Sequence, residues 1–180
     1  IPVIMLTAKG EEVDRIVGNI PVTTEKRPER TDKDKAEACR KLLEGAGRVV
    51  EGTPAHLYLL NRCGDPGATL RDLRAHPGIR HSTSGGVHPA MLAILRYPDG
   101  SGSSVHRTYL TQDGRKADVD PVRKMMPGLS LAGSCVRLGP LMPRIGIAEG
   151  IETAIYAAKL FGLPVWSATS APQLKAWEPP

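Results

Sequence analysis

The sequence has 180 residues, of which 41% are apolar and 24% are charged, and this length allows one ordinary globular domain or two small ones. Three cysteines far apart in the chain, Cys39, Cys63 and Cys135, form no CxxC pair, which excludes a disulfide scaffold and a cysteine-based zinc finger. Apolar runs are too short to span a membrane. We therefore expect a cytoplasmic protein with no membrane partner.

The positive charge is concentrated in the middle of the chain. The formal net charge is +5, yet residues 71–144 alone contain eleven basic and five acidic side chains, and none of the five is a glutamate. A basic surface of this kind is typical of proteins that contact phosphates, and a modestly basic solvated face is the alternative. Tyr97 and Tyr109 are the aromatic residues of this stretch, so a stacking platform for single strands is not indicated.

The N-terminal third is predicted to contain one strand and several helices. Residues 2–8 form a short apolar run typical of a buried strand, 11–17 predict a short helix, and 19–32 are polar and proline-containing, as in a linker. Thr31 and Asp34 have the spacing of a capping box before a helix over 33–44. A second helix follows over 54–62, with Thr53 as its cap.

The central region, from about residue 68, changes to short strands and turns. Residues 90–96 predict a buried strand and 104–110 a strand of alternating character, joined by a turn at 98–100, so the two form an antiparallel hairpin. Residues 118–134 are predicted to be irregular, and 135–138 to form a short strand. Since side chains alternate along a strand, His106 and Arg107 point to opposite faces, and one of them can face a groove.

The C-terminal segment returns to a helical period between strands. Strands are predicted over 144–148 and 164–168, and helices over 151–161 and from 171 to 176. This alternation implies parallel strands. The fold class is therefore α/β, α+β overall, with N-terminal helices, a central antiparallel region and a C-terminal parallel sheet. The predicted units are 1–18, 19–32, 33–143 and 144–180.

The pair Glu149-Gly150 stands at the predicted C-terminal end of a parallel strand, directly before a helix. Ligands of open α/β sheets bind at this edge. A carboxylate there can hold a divalent cation or carry a proton, although it can also simply complement the helix dipole. Glu152, in the first helical turn, is interpreted as such a dipole partner.

The run RIGIAEGIETAIYAAKLFGLPVWSATSAPQLK (144–175) resembles the first half of a Toprim domain, in which a Glu-Gly pair ends a strand. Upstream, GTPAHLYLLNRCG (52–64), HPAMLAILRYPDG (88–100), VHRTYLTQDGRKA (105–117) and VRLGP (136–140) resemble the region that precedes this domain in phage- and plasmid-borne primases. The resemblance covers about residues 34–180.

The resemblance implies template-directed synthesis of short RNA primers, with a DNA template and ribonucleotides as substrates and a replicative helicase as a further candidate partner. It implies Mg²⁺, or alternatively Mn²⁺, and places Glu149 at the catalytic and metal-binding position, with Gly150 at its turn. Basic residues of the central region then become candidates for gripping template or triphosphate. They are Arg107, Lys116, Arg123, Lys124 and Arg137.

The sequence departs from the Toprim pattern after its first motif. The Asp-x-Asp pair that the family carries on a later strand has no counterpart here, since no aspartate follows Asp120. A lone carboxylate holds Mg²⁺ poorly, so we expect the chain as written to be inactive. Two alternatives stay open: a non-catalytic, basic DNA-binding remnant, and a Toprim nuclease or topoisomerase relative. For the last, nothing marks Tyr97, Tyr109 or Tyr156 as a nucleophile.

The segment PVIMLTAKGEEVDRIVG (2–18) resembles the fourth strand and following helix of a response-regulator receiver domain, with Thr7 at the position of the switch hydroxyl. The phosphoacceptor aspartate and the later lysine of that family have no counterpart, which argues against phosphorelay. A fusion near Asn19 explains such a fragment, and it predicts that 2–18 does not form an integral strand of the remaining sheet. A native strand and helix are the alternative.

Overall fold

The computed structural model describes residues 5–6, 30–67 and 70–180. Its elements combine helices with one antiparallel and one parallel sheet, which confirms the mixed α/β class. In chain order the helices are α1 (Asp32–Glu44), α2 (Pro54–Cys63), α3 (Ile151–Phe161) and α4 (Ala171–Ala176). The strands are β1 (Met5–Leu6), β2 (Gly47–Arg48), β3 (Leu73–Arg80), β4 (Val87–Arg96), β5 (Gly102–Tyr109), β6 (Arg123–Met125), β7 (Gly146–Ala148) and β8 (Val165–Ser167). In this described part, no helix is long and apolar enough to cross a membrane.

Local sequence signals account for the helix ends. The Thr31 side chain accepts from the Asp34 N–H while the Asp34 carboxylate accepts from the Thr31 N–H, so the predicted capping box is present. Thr53 caps α2, with Pro54 in its first turn. Gly162 ends α3 in the left-handed conformation, which glycine adopts without a steric penalty.

The antiparallel sheet has the strand order β2-β3-β4-β5-β6. The predicted hairpin is its centre: β4 and β5 pair with Ala90 opposite Tyr109 and Ile94 opposite Val105. Three strands were not predicted: the two-residue edge strand β2, β3 and β6. Pro77 and Gly78 interrupt the apolar pattern of β3 where its ladder shifts register, and β6 is a three-residue strand within the stretch expected to be irregular.

The parallel sheet has the order β1-β7-β8. Met5 pairs with Ile147 and Leu6 with Ala148, so β1 is an integral strand beside β7. This is the arrangement expected of a native strand, and it counts against the fusion. Thr7, the predicted helix 11–17 and the linker up to residue 29 lie outside the described residues.

The two faces of the antiparallel sheet bury different clusters. One face packs with α2 and α3 around Tyr58, Leu95 and Ile155, and the other packs with α1 around Leu92 and Tyr109. A third cluster, which includes Trp166 and Trp177, lies against the parallel strands and α4. Apolar area removed from water in these clusters stabilises the fold by roughly 25 cal/mol per Å².

A short segment pairs with both sheets. Cys135 forms an antiparallel bridge with Arg96 at the end of β4, and the next residue, Val136, forms one with Ser167 of β8. Both bridges have two backbone hydrogen bonds, of 2.7 to 3.0 Å. The predicted units 33–143 and 144–180 are therefore joined through main-chain hydrogen bonds as well as through the first cluster, which draws residues from both.

Candidate functional site

The turn that carries Glu149 lies at the C-terminal end of β7, the central strand of the parallel sheet. Ser167 Oγ, from the end of β8, donates to the Glu149 carbonyl oxygen at 3.2 Å. Gly150 then begins α3 as its N-cap in an extended conformation and has no side chain with which to cap it. The first N–H groups of α3 therefore point towards the same edge as Glu149.

A cavity of about 80 Å³ adjoins this turn. It lies between the start of α3 and the α2-facing side of β4, β5 and β6. Its lining residues come from the antiparallel sheet, from the start of α3 and from the turn after β8: Met91, His106, Thr108, Arg123, Gly150, Ile151, Glu152 and Thr169.

Buried polar atoms of this lining lack partners. His106 Nδ1, Thr108 Oγ1 and Thr169 Oγ1 accept and donate no hydrogen bond within the described part of the chain. Buried polar groups are nearly always paired, so three of them around one cavity point to a bound ligand or water. Thr169 also has a φ of 68°, a costly conformation for a β-branched residue that is concentrated at functional sites.

Glu152 is held by two groups that lie far from it in the chain. Tyr58 Oη, on α2, donates a short hydrogen bond to Glu152 Oε1, and Arg123 Nη2, on β6, donates to the same oxygen at 2.6 Å. Burial acts to raise the pKa of Glu152, but the Tyr58 hydrogen bond and the Arg123 charge outweigh it and hold the pKa below its usual value. Burial and this carboxylate raise the pKa of Tyr58 to about 12.

Further positive charge surrounds this group. A groove of about 250 Å³ is lined by Tyr58, Asn61, Arg62, Gly114, Arg115 and Lys116. Partial burial and the neighbouring charges of Arg123 and Arg62 lower the pKa of Lys116, with Glu152 acting in the opposite direction. Lys116 is thus close enough to Arg62 and Arg123 to be repelled by both, and the three form what we call the cationic cluster. Such a cluster suits a polyanionic ligand such as a triphosphate.

Side-chain alternation on β5 brings His106, rather than Arg107, to the cavity. Burial, together with the charge of Arg123, lowers the pKa of His106 to about 4. The imidazole is therefore neutral at pH 7. It can accept or donate one hydrogen bond to a ligand without adding charge.

Three of the predicted basic residues lie elsewhere. Arg107 and Lys124 are register partners on the other face of the sheet, where Lys124 Nζ donates to the hydroxyls of Ser82 and Thr83. Arg137 donates to the carbonyls of Tyr97 and Pro98 and its guanidinium lies 5.1 Å from the Trp166 ring. Of the five, Lys116 and Arg123 are the ones brought to the side of the sheet that faces Glu149-Gly150.

The tyrosines considered for a topoisomerase relative do not gather at the turn. Tyr109 is fully buried and Tyr97 Oη donates to the Ser130 carbonyl. Tyr156 is exposed on α3. Tyr58, which sequence reasoning did not single out, is the tyrosine beside the cavity, and its high pKa makes it a poor nucleophile at neutral pH.

The residues around Glu149 do not complete a cation site. Within residues 30–67 and 70–180, no three carboxylate, histidine or cysteine side chains are placed to hold a metal ion. Glu152 Oε1 is already bound by Tyr58 and Arg123. Mg²⁺ requires several hard ligands or phosphates around it, so the described residues fit one part of such a site, Glu149, and not the whole of it.

Comparison with known proteins places the chain in a family by sequence. No curated protein and no solved structure matches it. The model of one family, described as a domain of unknown function, DUF7146, matches residues 33–138. This range includes α1 apart from its first residue, α2 and all of the antiparallel sheet, and ends before Glu149. Because the match covers more than half of the chain, this protein belongs to the DUF7146 family.

Proposed function

We propose that this chain is part of a Toprim-type primase, which joins ribonucleotides on a DNA template. The 3′-hydroxyl oxygen of one ribonucleotide would attack the α-phosphorus of the next triphosphate. The new O–P bond forms as the bond to the β-phosphate oxygen breaks, and pyrophosphate leaves. The hydroxyl proton has to be taken up, and Glu149 is the carboxylate that we assign to this position.

One observation carries the proposal. The Toprim resemblance implies a strand, a Glu-Gly turn, a helix and a second, parallel strand. These correspond to β7, Glu149-Gly150, α3 and β8, and β7 is the central strand of its sheet. The turn adjoins a cavity with unpartnered buried polar atoms, and cationic side chains lie beside it. A chance match of the sequence pattern would not require these features to meet at one edge.

The chain's own residues would perform binding and orientation. The cationic cluster of Arg62, Lys116 and Arg123 would hold the triphosphate, since guanidinium groups match phosphate oxygens in pairs. Glu152 fixes Arg123 through the 2.6 Å contact and so limits the directions in which its remaining N–H groups donate. Thr108 and Thr169 offer hydroxyls to the ligand.

The resemblance also implies Mg²⁺ or Mn²⁺, which in such enzymes offsets phosphate charge. Among the described residues, Glu149 alone would contribute to holding this ion. The assignment of Glu149 does not depend on it.

The test is template-dependent RNA synthesis by the full-length gene product. Labelled ribonucleotides are incubated with single-stranded DNA, and the products are resolved by length. Glu149→Gln should reduce synthesis at least about 100-fold, the low end of a general-base contribution. Glu178→Gln, an exposed carboxylate distant in sequence, is the control and should behave as the wild type. Retention of full activity by the Glu149 variant would refute the assignment.

A non-catalytic nucleic-acid-binding role is the second candidate, because the turn has a single carboxylate and the cationic cluster lies beside it. It predicts binding of DNA that falls steeply with salt and is unaffected by EDTA, with no synthesis. A Toprim nuclease would instead cut the template in the same incubation. The product gel distinguishes the three outcomes: longer RNA, shorter DNA, or neither.

A further inference from the structure

A second groove lies at the other edge of the antiparallel sheet, along β2 and the start of β3. It has a volume of about 560 Å³ and shares no lining residue with the cavity at Gly150. Its floor is mainly apolar and its polar lining is entirely arginine. The lining residues are Arg48, Val49, Val50, Leu70, Arg71, Leu73, Arg74, Gly139 and Pro140.

Two of the three arginines in this groove lie directly opposite each other on neighbouring strands. Arg48 and Arg74 are direct register partners of the antiparallel pair β2–β3, so their side chains leave the same face of the sheet side by side. Like charges in directly opposed positions destabilise a sheet. Arg71 adds a third positive charge to the same groove.

The described part of the chain supplies no neutralising group to this arrangement. Arg74 Nη1 donates to the carbonyl oxygens of Arg71 and Leu73, which orients the guanidinium without cancelling its charge. Among the described residues, no carboxylate lies within ion-pair distance of Arg48, Arg71 or Arg74. Counting the described residues alone, the groove therefore has a charge of +3 without a counter-charge, which an anionic ligand would neutralise.

We propose that this groove binds the phosphate backbone of a single nucleic-acid strand without reading its sequence. Arginine presents several N–H donors in a plane that matches phosphate oxygens. The lining has no aromatic side chain on which a base could stack, so contacts to the backbone carry the binding. The exposed side chain of Val50 in the lining gives the carbon atoms of the sugars an apolar surface to lie on.

This binding does not rest on the proposed nucleotidyl transfer. The groove neither includes Glu149 nor needs a metal, so a strand can bind here whether or not the chain catalyses synthesis. It also differs from the cationic cluster, which lies at the other edge of the sheet beside β5 and β6. Loss of one activity would leave the other measurable.

The probe is fluorescein-labelled dT20, followed by fluorescence anisotropy between 50 and 300 mM NaCl in the presence of EDTA. Arg48→Glu should weaken binding at least about fivefold at 100 mM salt. The double variant Arg48→Glu, Arg71→Ala should lower the slope of log K against log salt by about 1.4, because each phosphate contact on single strands contributes about 0.7. Arg80→Glu, exposed on β3 but outside the groove, makes the same change of charge as Arg48→Glu, so it is the matched control and should bind as the wild type.

Misfolding can be told apart from loss of contact. Arg48→Glu places a carboxylate opposite Arg74, so the repulsive pair becomes an attractive one and the melting temperature should stay equal or rise. Weaker binding by an equally or more stable protein supports the groove. The proposal is overturned if both groove variants bind dT20 like the wild type. It is likewise overturned if they lose affinity for poly-glutamate but not for dT20, since the groove would then be a site for acidic protein segments.

Discussion

Arg123 Nη2 lies 2.6 Å from Glu152 Oε1, and this ion pair joins β6 to the first turn of α3. Tyr58, on α2, donates to the same oxygen, so three elements from distant parts of the chain meet at one carboxylate. Glu149 is three residues before that carboxylate. The position of the Glu149-Gly150 turn relative to the antiparallel sheet therefore depends on this contact.

The first prediction concerns the stability that Glu152 contributes. Its pKa is lower in the folded protein than in the unfolded chain, so the contribution is complete above the ordinary value of 4.5 and is lost as the pH falls through the folded value. The Arg123 side chain is 43% exposed, which screens the pair. We expect Glu152→Gln to cost about 1 kcal/mol at pH 7, and this cost to shrink as the pH falls below 4.5.

Urea denaturation of both proteins across this pH range measures the difference. Glu51→Gln, an exposed carboxylate outside the pair, should follow the wild type throughout. A difference between Glu152→Gln and wild type that does not shrink as the pH falls below 4.5 would contradict the assigned ion pair.

The second prediction concerns His106. Its pKa in the folded protein is about 4, below the ordinary 6.5, so the unfolded chain binds the proton more readily. The stability this provides is complete above pH 6.5 and is lost as the pH falls from 6.5 to 4. At 1.36 kcal/mol per unit, the loss amounts to about 3 kcal/mol.

An NMR titration of the His106 ring should show the neutral imidazole down to about pH 5. His106→Gln should flatten the stability curve between pH 4 and 6.5, while His88→Gln should leave the His106 titration unaltered. A ring midpoint near 6.5 would show that the imidazole is solvated and that this description of the cavity is wrong.

The third prediction compares two ion pairs of the central region. Asp72 is buried, accepts from Arg96 at 2.8 Å and from the Arg137 N–H at 3.3 Å, and so links β3, β4 and the segment after Cys135. Asp72→Asn should lower the free energy of unfolding by about 3 kcal/mol, because it leaves a partly buried guanidinium without its counter-charge.

Asp113→Asn is the comparison, since the pair that Asp113 forms with Arg115 is solvent-exposed. It should cost less than about 1 kcal/mol. Denaturant titrations of the two variants should differ by at least about 2 kcal/mol in this direction. Equal losses would mean that burial does not distinguish the two pairs.

The fourth prediction concerns the turn after β5. Gly114 has a φ of 75°, and a Cβ built there would lie 2.5 Å from Leu57 Cβ and 2.6 Å from the Tyr58 backbone nitrogen. Gly114→Ala therefore combines an unfavourable conformation with overlap against α2, and should cost at least about 2 kcal/mol. Because α2 carries Tyr58, the variant should also disturb the contact with Glu152.

Gly102→Ala is the matched control, since a Cβ at that position meets open space and φ is not positive. Its free energy of unfolding should stay within about 0.5 kcal/mol of the wild type. A Gly114→Ala protein as stable as the Gly102 variant would show that α2 can move away from the turn.

Sequence reasoning predicted the elements whose signals are local. The caps of α1 and α2, the hairpin of β4 and β5, and the alternation of β7, α3 and β8 depend on neighbouring residues. The strand β3 was missed because Pro77 and Gly78 break its pattern, although a bulge accommodates them. The three-residue strand β6 was missed because its strand conformation depends on pairing with β5, which lies elsewhere in the sequence.

The candidate site could be predicted only where its residues are neighbours in the sequence. The Glu149-Gly150 turn has a local pattern, whereas Glu152 was interpreted from its own helix as a dipole partner. Its actual partner Tyr58 is 94 residues away, so no local signal could link them. Alternation on β5 did imply that His106 or Arg107 faces the groove, and tertiary packing decided in favour of His106.

The two bridges formed by Cys135 and Val136 bear on how the molecule unfolds. Since consecutive residues pair with β4 and with β8, opening either sheet breaks hydrogen bonds that hold the other. We expect hydrogen exchange of the amides of Arg96, Cys135, Val136 and Ser167 to give one shared free energy of opening, through one cooperative event. The family match ends at residue 138, and this boundary would then lie inside a single unit that unfolds cooperatively.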